Sequence, residues 1–257
     1  MATEKRLTVR TFDELFREEK LPSGARFKLV EDTVDNSLKV AEQDHHLTYM
    51  KKAMQIFCVL DSIGGIKLHE EGSPGVEVIN GLLDTDVVFL GLAWTAQMAD
   101  MTLELNDGVP CPHCGHHWME VPFGNLKVMC RDEPVSGADA QVALKAEKGW
   151  APASMGLSWM ITDPTWEKAR RFIPEKQWGS TDHITMHRAM AATMVESSSG
   201  GSVRQPSMKG ELRKLRMRGI SAINRALDAN VPRMQMHLDL ECSNCGQVTQ
   251  LPFEQGV

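Results

Sequence analysis

Met101-Thr102-Leu103-Glu104-Leu105-Asn106-Asp107-Gly108-Val109-Pro110-Cys111-Pro112-His113-Cys114-Gly115 decides how this chain is read. A second stretch repeats its plan: Met236-His237-Leu238-Asp239-Leu240-Glu241-Cys242-Ser243-Asn244-Cys245-Gly246. In each, apolar and polar residues alternate like a half-buried strand, and the strand runs straight into Cys-x-x-Cys-Gly. Gln247-Val248-Thr249-Gln250-Leu251 follows the second pair as a return strand, and both halves close on Pro-Phe, at Pro122-Phe123 and Pro252-Phe253. The offset from cysteine pair to Pro-Phe differs by one residue, so the repeat is approximate: either a duplication or two knuckles of one kind.

A Cys-x-x-Cys turn offers two thiolates from one tight loop, and the glycine after it permits the local backbone geometry. Two such turns complete a tetrahedral site. Cys111, Cys114, Cys242 and Cys245 are therefore the expected ligands of one structural Zn2+ shared across residues 115–241. Two other readings stay open, a site local to the first pair completed by Cys130, His116 or His117, and no metal at all; His113 also sits in that first turn. Redox use fits less well, because a reactive dithiol belongs at a strand-to-helix junction and each pair here lies between strands. Four cysteines close the shell against water, so the metal argues for structure and against chemistry. Cys58, on the apolar face of a predicted helix, reads as a buried small hydrophobe.

Upstream of the first knuckle, Thr11-Phe12-Asp13-Glu14 has capping-box spacing and predicts a short helix over 11–19. Phe27 to Val30 reads as a strand. Leu47, Met50, Met54, Phe57 and Cys58 recur at helical spacing and predict a helix over about 44–62 that stops at Gly64-Gly65. Asp84 can cap a helix with Val87, Leu90, Trp94 and Met98 as its buried stripe.

Downstream, short strands are predicted at Leu126 to Cys130 and Gln141 to Lys145, but breakers at Pro134, Pro152, Pro164 and Pro174 leave 124–178 without a topology. Ser180 or Thr181 can cap a helix near 180–196 carrying Met186, Met190 and Met194 on one side, and 196–202 has the composition of a flexible loop. Leu212, Leu215, Ile220, Ile223 and Leu227 predict an amphipathic helix over about 208–229, whose other face carries Lys209, Arg213, Lys214, Arg216, Arg218 and Arg225. The expected organisation is a helix-strand domain at 1–130, an irregular insertion at 131–207, and a helix with the second knuckle at 208–257 packing back on the first. The fold class is α/β in the α+β sense: short mixed strands and amphipathic helices stapled by a zinc-ribbon-like four-cysteine site.

Composition narrows the function. The 257 residues are 42% hydrophobic and 24% charged, ordinary for a globular protein. A formal charge of -6, from 34 acids against 28 bases, leaves no global positive field for a nucleic-acid backbone. No apolar run spans a bilayer, and the first twenty residues mix acids and bases without an apolar signal core, so a soluble cytosolic chain is expected. Asp44, His45, His46, Asp182, His183 and His187 could serve acid-base work, but no nucleophile elbow or phosphate loop accompanies them. The expectation is a non-enzyme. The sixteen methionines suit an adaptable core or an interface.

In order along the chain come Leu21-Pro22-Ser23-Gly24 opening a strand, Leu82-Leu83-Asp84-Thr85-Asp86 leading a helix, Thr102-Leu103-Glu104-Leu105, the first knuckle, and the closing Met236 to Gly246 with Leu251-Pro252-Phe253. That order resembles the T4-type phage baseplate proteins, hub or tail assembly components of contractile-tailed phages. The resemblance covers roughly 21–128 and 208–253, and the segment 130–207 departs from it. It implies a structural subunit made in the bacterial host cytoplasm and built into the virion tail at the baseplate. Its expected partners are other tail and baseplate proteins, with no membrane, no small-molecule substrate and no reliance on nucleic acid. The alternatives are a zinc-ribbon nucleic-acid-binding protein using the basic helix face, a tail assembly factor that stays out of the virion, and a metalloenzyme.

Overall fold

In the computed structural model of the chain, which describes residues 7–45, 48–99, 101–135, 141–144, 157–171, 191–197, 202–206, 211, 214–235 and 237–252, the capping box at Thr11 forms as its spacing predicts. The Thr11 hydroxyl accepts from the Glu14 N–H at 3.2 Å, and the Glu14 carboxylate accepts from the Thr11 N–H at 2.7 Å. The helix so started, α1 (Phe12–Arg17), follows directly on a strand absent from the sequence reading, β1 (Thr8–Thr11). This strand pairs antiparallel with Lys127–Cys130, with Val9 opposite Met129. Short edge strands of this kind carry little periodic signal, because four residues hold too few alternations.

Phe12 anchors the larger of two hydrophobic cores. Its ring lies 4.6 Å from that of Phe89 and 5.3 Å from that of Phe123. Around these rings gather Leu15, Leu21, Phe27, Ile56, Leu60, Leu90 and Leu126, together with Leu238 and Leu240 from near the end of the chain. At the centre runs a sixteen-residue helix, Asp84–Ala99. The expected stripe of Val87, Leu90 and Trp94 is buried, but so are Phe89, Leu92, Ala93 and Ala96, while Met98 is 51% exposed. A helix surrounded by other elements buries most of its circumference rather than one stripe. Among the described residues no helix is long and apolar enough to cross a membrane.

The helix expected over 44–62 is corrected by the structure. A separate helix, α2 (Val34–Ala41), comes first, then a 3-10 turn at Glu42–His45, then α3 (Thr48–Val59). The chain then continues as a strand, β3 (Leu60–Ile63), between β2 (Phe27–Leu29) and β4 (Ile66–Lys67). Lys28 faces Ser62 while Leu29 faces Leu60, so Asp61 is an extra residue in β3. This bulge turns Leu60 and Ile63, three apart, to the same buried side and so imitates helical spacing. Gly64 and Gly65, with φ of 57° and 84°, turn the β3–β4 hairpin instead of ending a helix.

After α4 (Glu77–Gly81) and the central helix, now α5, come β5 (Thr102–Pro110), β6 (His117–Pro122) and β7 (Lys127–Cys130), with β5 and β6 forming a hairpin. The smaller core is built on β8 (Val142–Leu144), β9 (Leu157–Ile161) and β10 (Thr193–Ser197), an antiparallel sheet in the order β10-β9-β8. Between β9 and β10 lies α6 (Trp166–Arg171). The helix expected to reach residue 196 is overturned there: Thr193–Ser197 pairs with β9, and so does the first part of the loop expected from 196. Thr193 and Val195, two apart, are both fully buried with a strand's period, a pattern the Met186-Met190-Met194 spacing obscured. Met186 and Met190 lie outside the described residues.

The basic amphipathic helix begins later than expected, as α7 (Met217–Asn230), because Arg216 is extended with φ -79° and ψ 159°. Ile223 and Leu227 pack it on Trp159 and Ile161. From there β11 (Arg233–Met234) returns to the free edge of β7, giving the sheet order β1-β7-β11, and β12 (His237–Glu241) pairs with β13 (Val248–Pro252). The class is α+β, and among the described residues the sheets are small and antiparallel.

The two cores meet across polar groups. Arg131 reaches Asp163 in a bidentate pair at 2.6 and 2.8 Å and donates to the Asn230 carbonyl at 2.8 Å. The Thr85 hydroxyl donates to the Pro232 carbonyl at 2.9 Å; on the larger core's side of this junction the Ser23 N–H donates to the Asp86 carboxylate at 3.0 Å. Gly24, at φ 92°, lies so close to Glu133 that a Cβ would sit 2.6 Å from its carbonyl carbon. That approach fixes the Leu21-Pro22-Ser23-Gly24 turn against the segment carrying Arg131.

Candidate metal centre

Two turns of the same build hold the four paired cysteines. In the first, between β5 and β6, the Cys111 N–H donates to the His116 carbonyl at 2.7 Å and the Gly115 N–H donates back to the Cys111 carbonyl at 2.9 Å. The second turn, between β12 and β13, repeats both bonds. The Cys242 N–H donates to the Gln247 carbonyl at 2.9 Å and the Gly246 N–H to the Cys242 carbonyl at 2.8 Å. Gly115 and Gly246 have φ of 73° and 68°, the left-handed conformation that glycine adopts without a Cβ penalty. These are the positions at which both sequence repeats place glycine.

The hairpins differ away from the turns. β12 and β13 pair without interruption, whereas β5 and β6 lose register between Glu104 and Val109. Gly108, at φ 65°, lies in that irregularity, where a Cβ would meet Met119 Sδ at 2.8 Å. Leu238 and Leu240 sink into the larger core, as do Trp118 and Val121 of β6, and this shared burial brings the two turns together.

All four thiols converge. Cys111 Sγ lies 3.8 Å from Cys245 Sγ, Cys114 Sγ lies 3.6 Å from Cys242 Sγ, and the four sulfurs are all within 4.8 Å of one another. Thiolates about 2.3 Å from a central ion at the corners of a tetrahedron stand about 3.8 Å apart, so the donor set has the dimensions of a single-ion site. The first cysteine of each turn is buried, Cys111 at 2% and Cys242 at 1%, whereas Cys114 is exposed and Cys245 half-buried. The site therefore lies at the protein surface with its inner side in the core. His116 Nε2 and Ser243 Oγ stand 3.2 Å apart and link the two turns outside the sulfurs.

Electrostatics also fit a cation. Hydrogen bonds from the Asn244 side chain and the His116 backbone draw the Cys114 thiol down to about 6. At Cys245 the Gln247 N–H acts in the same direction but is outweighed by burial and the neighbouring thiols, and this thiol is pushed up to about 12. Several thiolates within one contact distance repel one another, and a bound divalent cation removes that conflict.

Other sequence candidates fall elsewhere. Cys130 is buried in β7 against Thr8, with its Sγ 3.4 Å from the Thr8 hydroxyl. His113, His116 and His117 are exposed and outside the sulfur cluster, so among the described residues the only group of three or more metal-type ligands is the four-cysteine set. Cys58 is half-buried rather than fully buried, and burial raises its thiol. Asp182, His183, His187 and His46 lie outside the described residues. Sequence reading missed the buried charges Asp86, Arg131 and Asp163, since nothing in their local pattern marks them as interior. Comparison with protein-family models, curated proteins and solved structures gave no match to this chain.

Proposed function

We propose that this chain is a non-enzymatic structural subunit of a contractile phage tail baseplate, working through protein contacts and stapled by a structural Zn2+ on Cys111, Cys114, Cys242 and Cys245. The observation that carries the structural half is the closed shell: four sulfurs at tetrahedral spacing leave no ligand position for water or substrate. The staple ties a hairpin near residue 245 to one near residue 114, which closes a long loop and contributes order that two small cores alone supply only in part. The baseplate half rests on the order of motifs along the chain, from Leu21-Pro22-Ser23-Gly24 to Leu251-Pro252-Phe253.

Nucleic acid is the poorer partner. The knuckle hairpins present Glu104, Glu120, Asp239 and Glu241 to solvent, a negative rim that repels phosphate. The test is a density gradient of nuclease-treated lysate from the native producer, following this chain by mass spectrometry. Migration with a large particle rich in tail-tube and sheath proteins is the expected result. Migration solely as a small free species overturns the virion assignment and points to an assembly factor.

A further inference from the structure

Two exposed faces of this chain complement each other in charge, and both are centred on apolar side chains. The first is α2. None of its residues is buried; Val34 is 79% exposed and Leu38, one turn on, 57%. The Ser37 hydroxyl donates to Met98 Sδ at 4.0 Å, which sets the exposed end of α5 beside this face. Around it stand Glu31, Asp32 and Asp35, all exposed, with Asp35 paired to Lys39 at 2.7 Å.

The second face is the outer side of α7 and the residues before it. Met217 is 72% exposed, and Lys214, Arg216, Arg218, Ser221 and Arg225 are exposed with it. Among the described residues none of these four cations is in an ion pair. In contrast, Arg233 is paired with Asp228. Helical spacing puts 218, 221 and 225 along one stripe of α7, and Lys214 lies in the segment just before it. The first turn of α7 holds no acid, so its basic residues oppose the helix dipole, an arrangement unfavourable to the chain alone and relieved by acids from outside.

We infer that these faces bind each other between copies of this chain, α2 of one copy against the start of α7 of the next. The occupant is a second copy because one sequence carries both halves of the match: an acidic rim around Val34, Leu38 and Met98, and a basic rim around Met217. The faces belong to different cores, α2 through Val40 to the larger and α7 to the smaller, so the contact is heterologous and leaves a free face at each end of a pair. Repulsion from the net charge of -6 acts weakly here, since salt screens charges beyond about 8 Å and the opposed rims meet at contact. This deepens the assembly reading by naming one partner in it.

The experiment is sedimentation velocity of the full chain with zinc present, nuclease-treated, up to ~100 µM, where contacts with Kd about 10 µM are well populated. The expected result is concentration-dependent growth that fades with added salt. Arg216→Glu with Arg218→Glu should give a monomer, and so should Asp32→Lys with Asp35→Lys. Mixing the two variants in equal amounts should restore association, because each reversed face again meets its opposite; circular dichroism checks that both remain folded. A nuclease-treated wild type that stays monomeric, or association indifferent to either reversal, overturns the inference. A chain that travels with the tail particle yet is monomeric alone refutes self-association and leaves the assembly reading standing. Association by a chain that never joins the particle does the reverse.

Discussion

Replacing Asp86 by asparagine should stabilise the protein increasingly as pH rises. Asp86 is 1% exposed in the first turn of α5. Burial pushes its carboxyl from the ordinary 3.8 up to about 7; hydrogen bonds from Ser23 hold it down in part, and the nearby Asp163 charge raises it further. The folded state therefore binds this proton more tightly than the unfolded chain does. Stability falls as pH rises from about 4 to about 7 and then levels, at up to about 1.4 kcal/mol per pH unit in the window. Asparagine keeps an oxygen for the Ser23 N–H and cannot ionise. The gap in unfolding free energy between Asp86→Asn and wild type should thus widen by about 3 kcal/mol between pH 5 and pH 8. Urea unfolding of both proteins across that range measures it, and using the difference cancels the pH dependence of the cysteine site, which both share. A gap constant with pH would refute the reasoning, since it would mean that the carboxylate ionises as readily inside as outside.

Two further outcomes test the metal centre and the junction between the cores. Cys242→Ser should lower tightly held zinc from one per chain toward none, at Cys111 and Cys114 as well as at the second turn, as read by metal analysis under chelator competition. Full retention of tight zinc by that variant would remove the shared site. Arg131→Met should destabilise by about 3–5 kcal/mol, because it leaves the Asp163 carboxylate buried without its partner, and adding Asp163→Leu should recover most of the loss. Equal losses in the single and double variants, by denaturant unfolding, would show that packing rather than charge pairing governs this contact.

Local chemistry was legible before any tertiary contact was known. The capping box at Thr11, the β7 strand, the return strand after Cys245 and the two glycines at Gly115 and Gly246 each depend on residues within a few positions of one another. The same holds for the chemistry of the four cysteines, since a Cys-x-x-Cys turn presents two sulfurs whatever lies around it. Where the reading erred, a second pattern fitted the same residues. The helical spacing that runs to Cys58 gives no sign that the chain becomes a strand at Leu60, and Met194 continues a helical spacing into what is a strand.

The sequence by itself determined the α+β class, the two knuckles and the identity of the four thiols, because propensity, capping and turn geometry act over one or two turns of chain. Only the tertiary structure decided that Cys111 meets Cys245 and Cys114 meets Cys242. It alone placed β1 beside β7 and closed Arg131 on Asp163 between the cores. Those contacts join residues far apart in sequence, and their partners are selected by burial of Leu238, Leu240 and Trp118 in a common core and by the cost of leaving a buried charge unpaired.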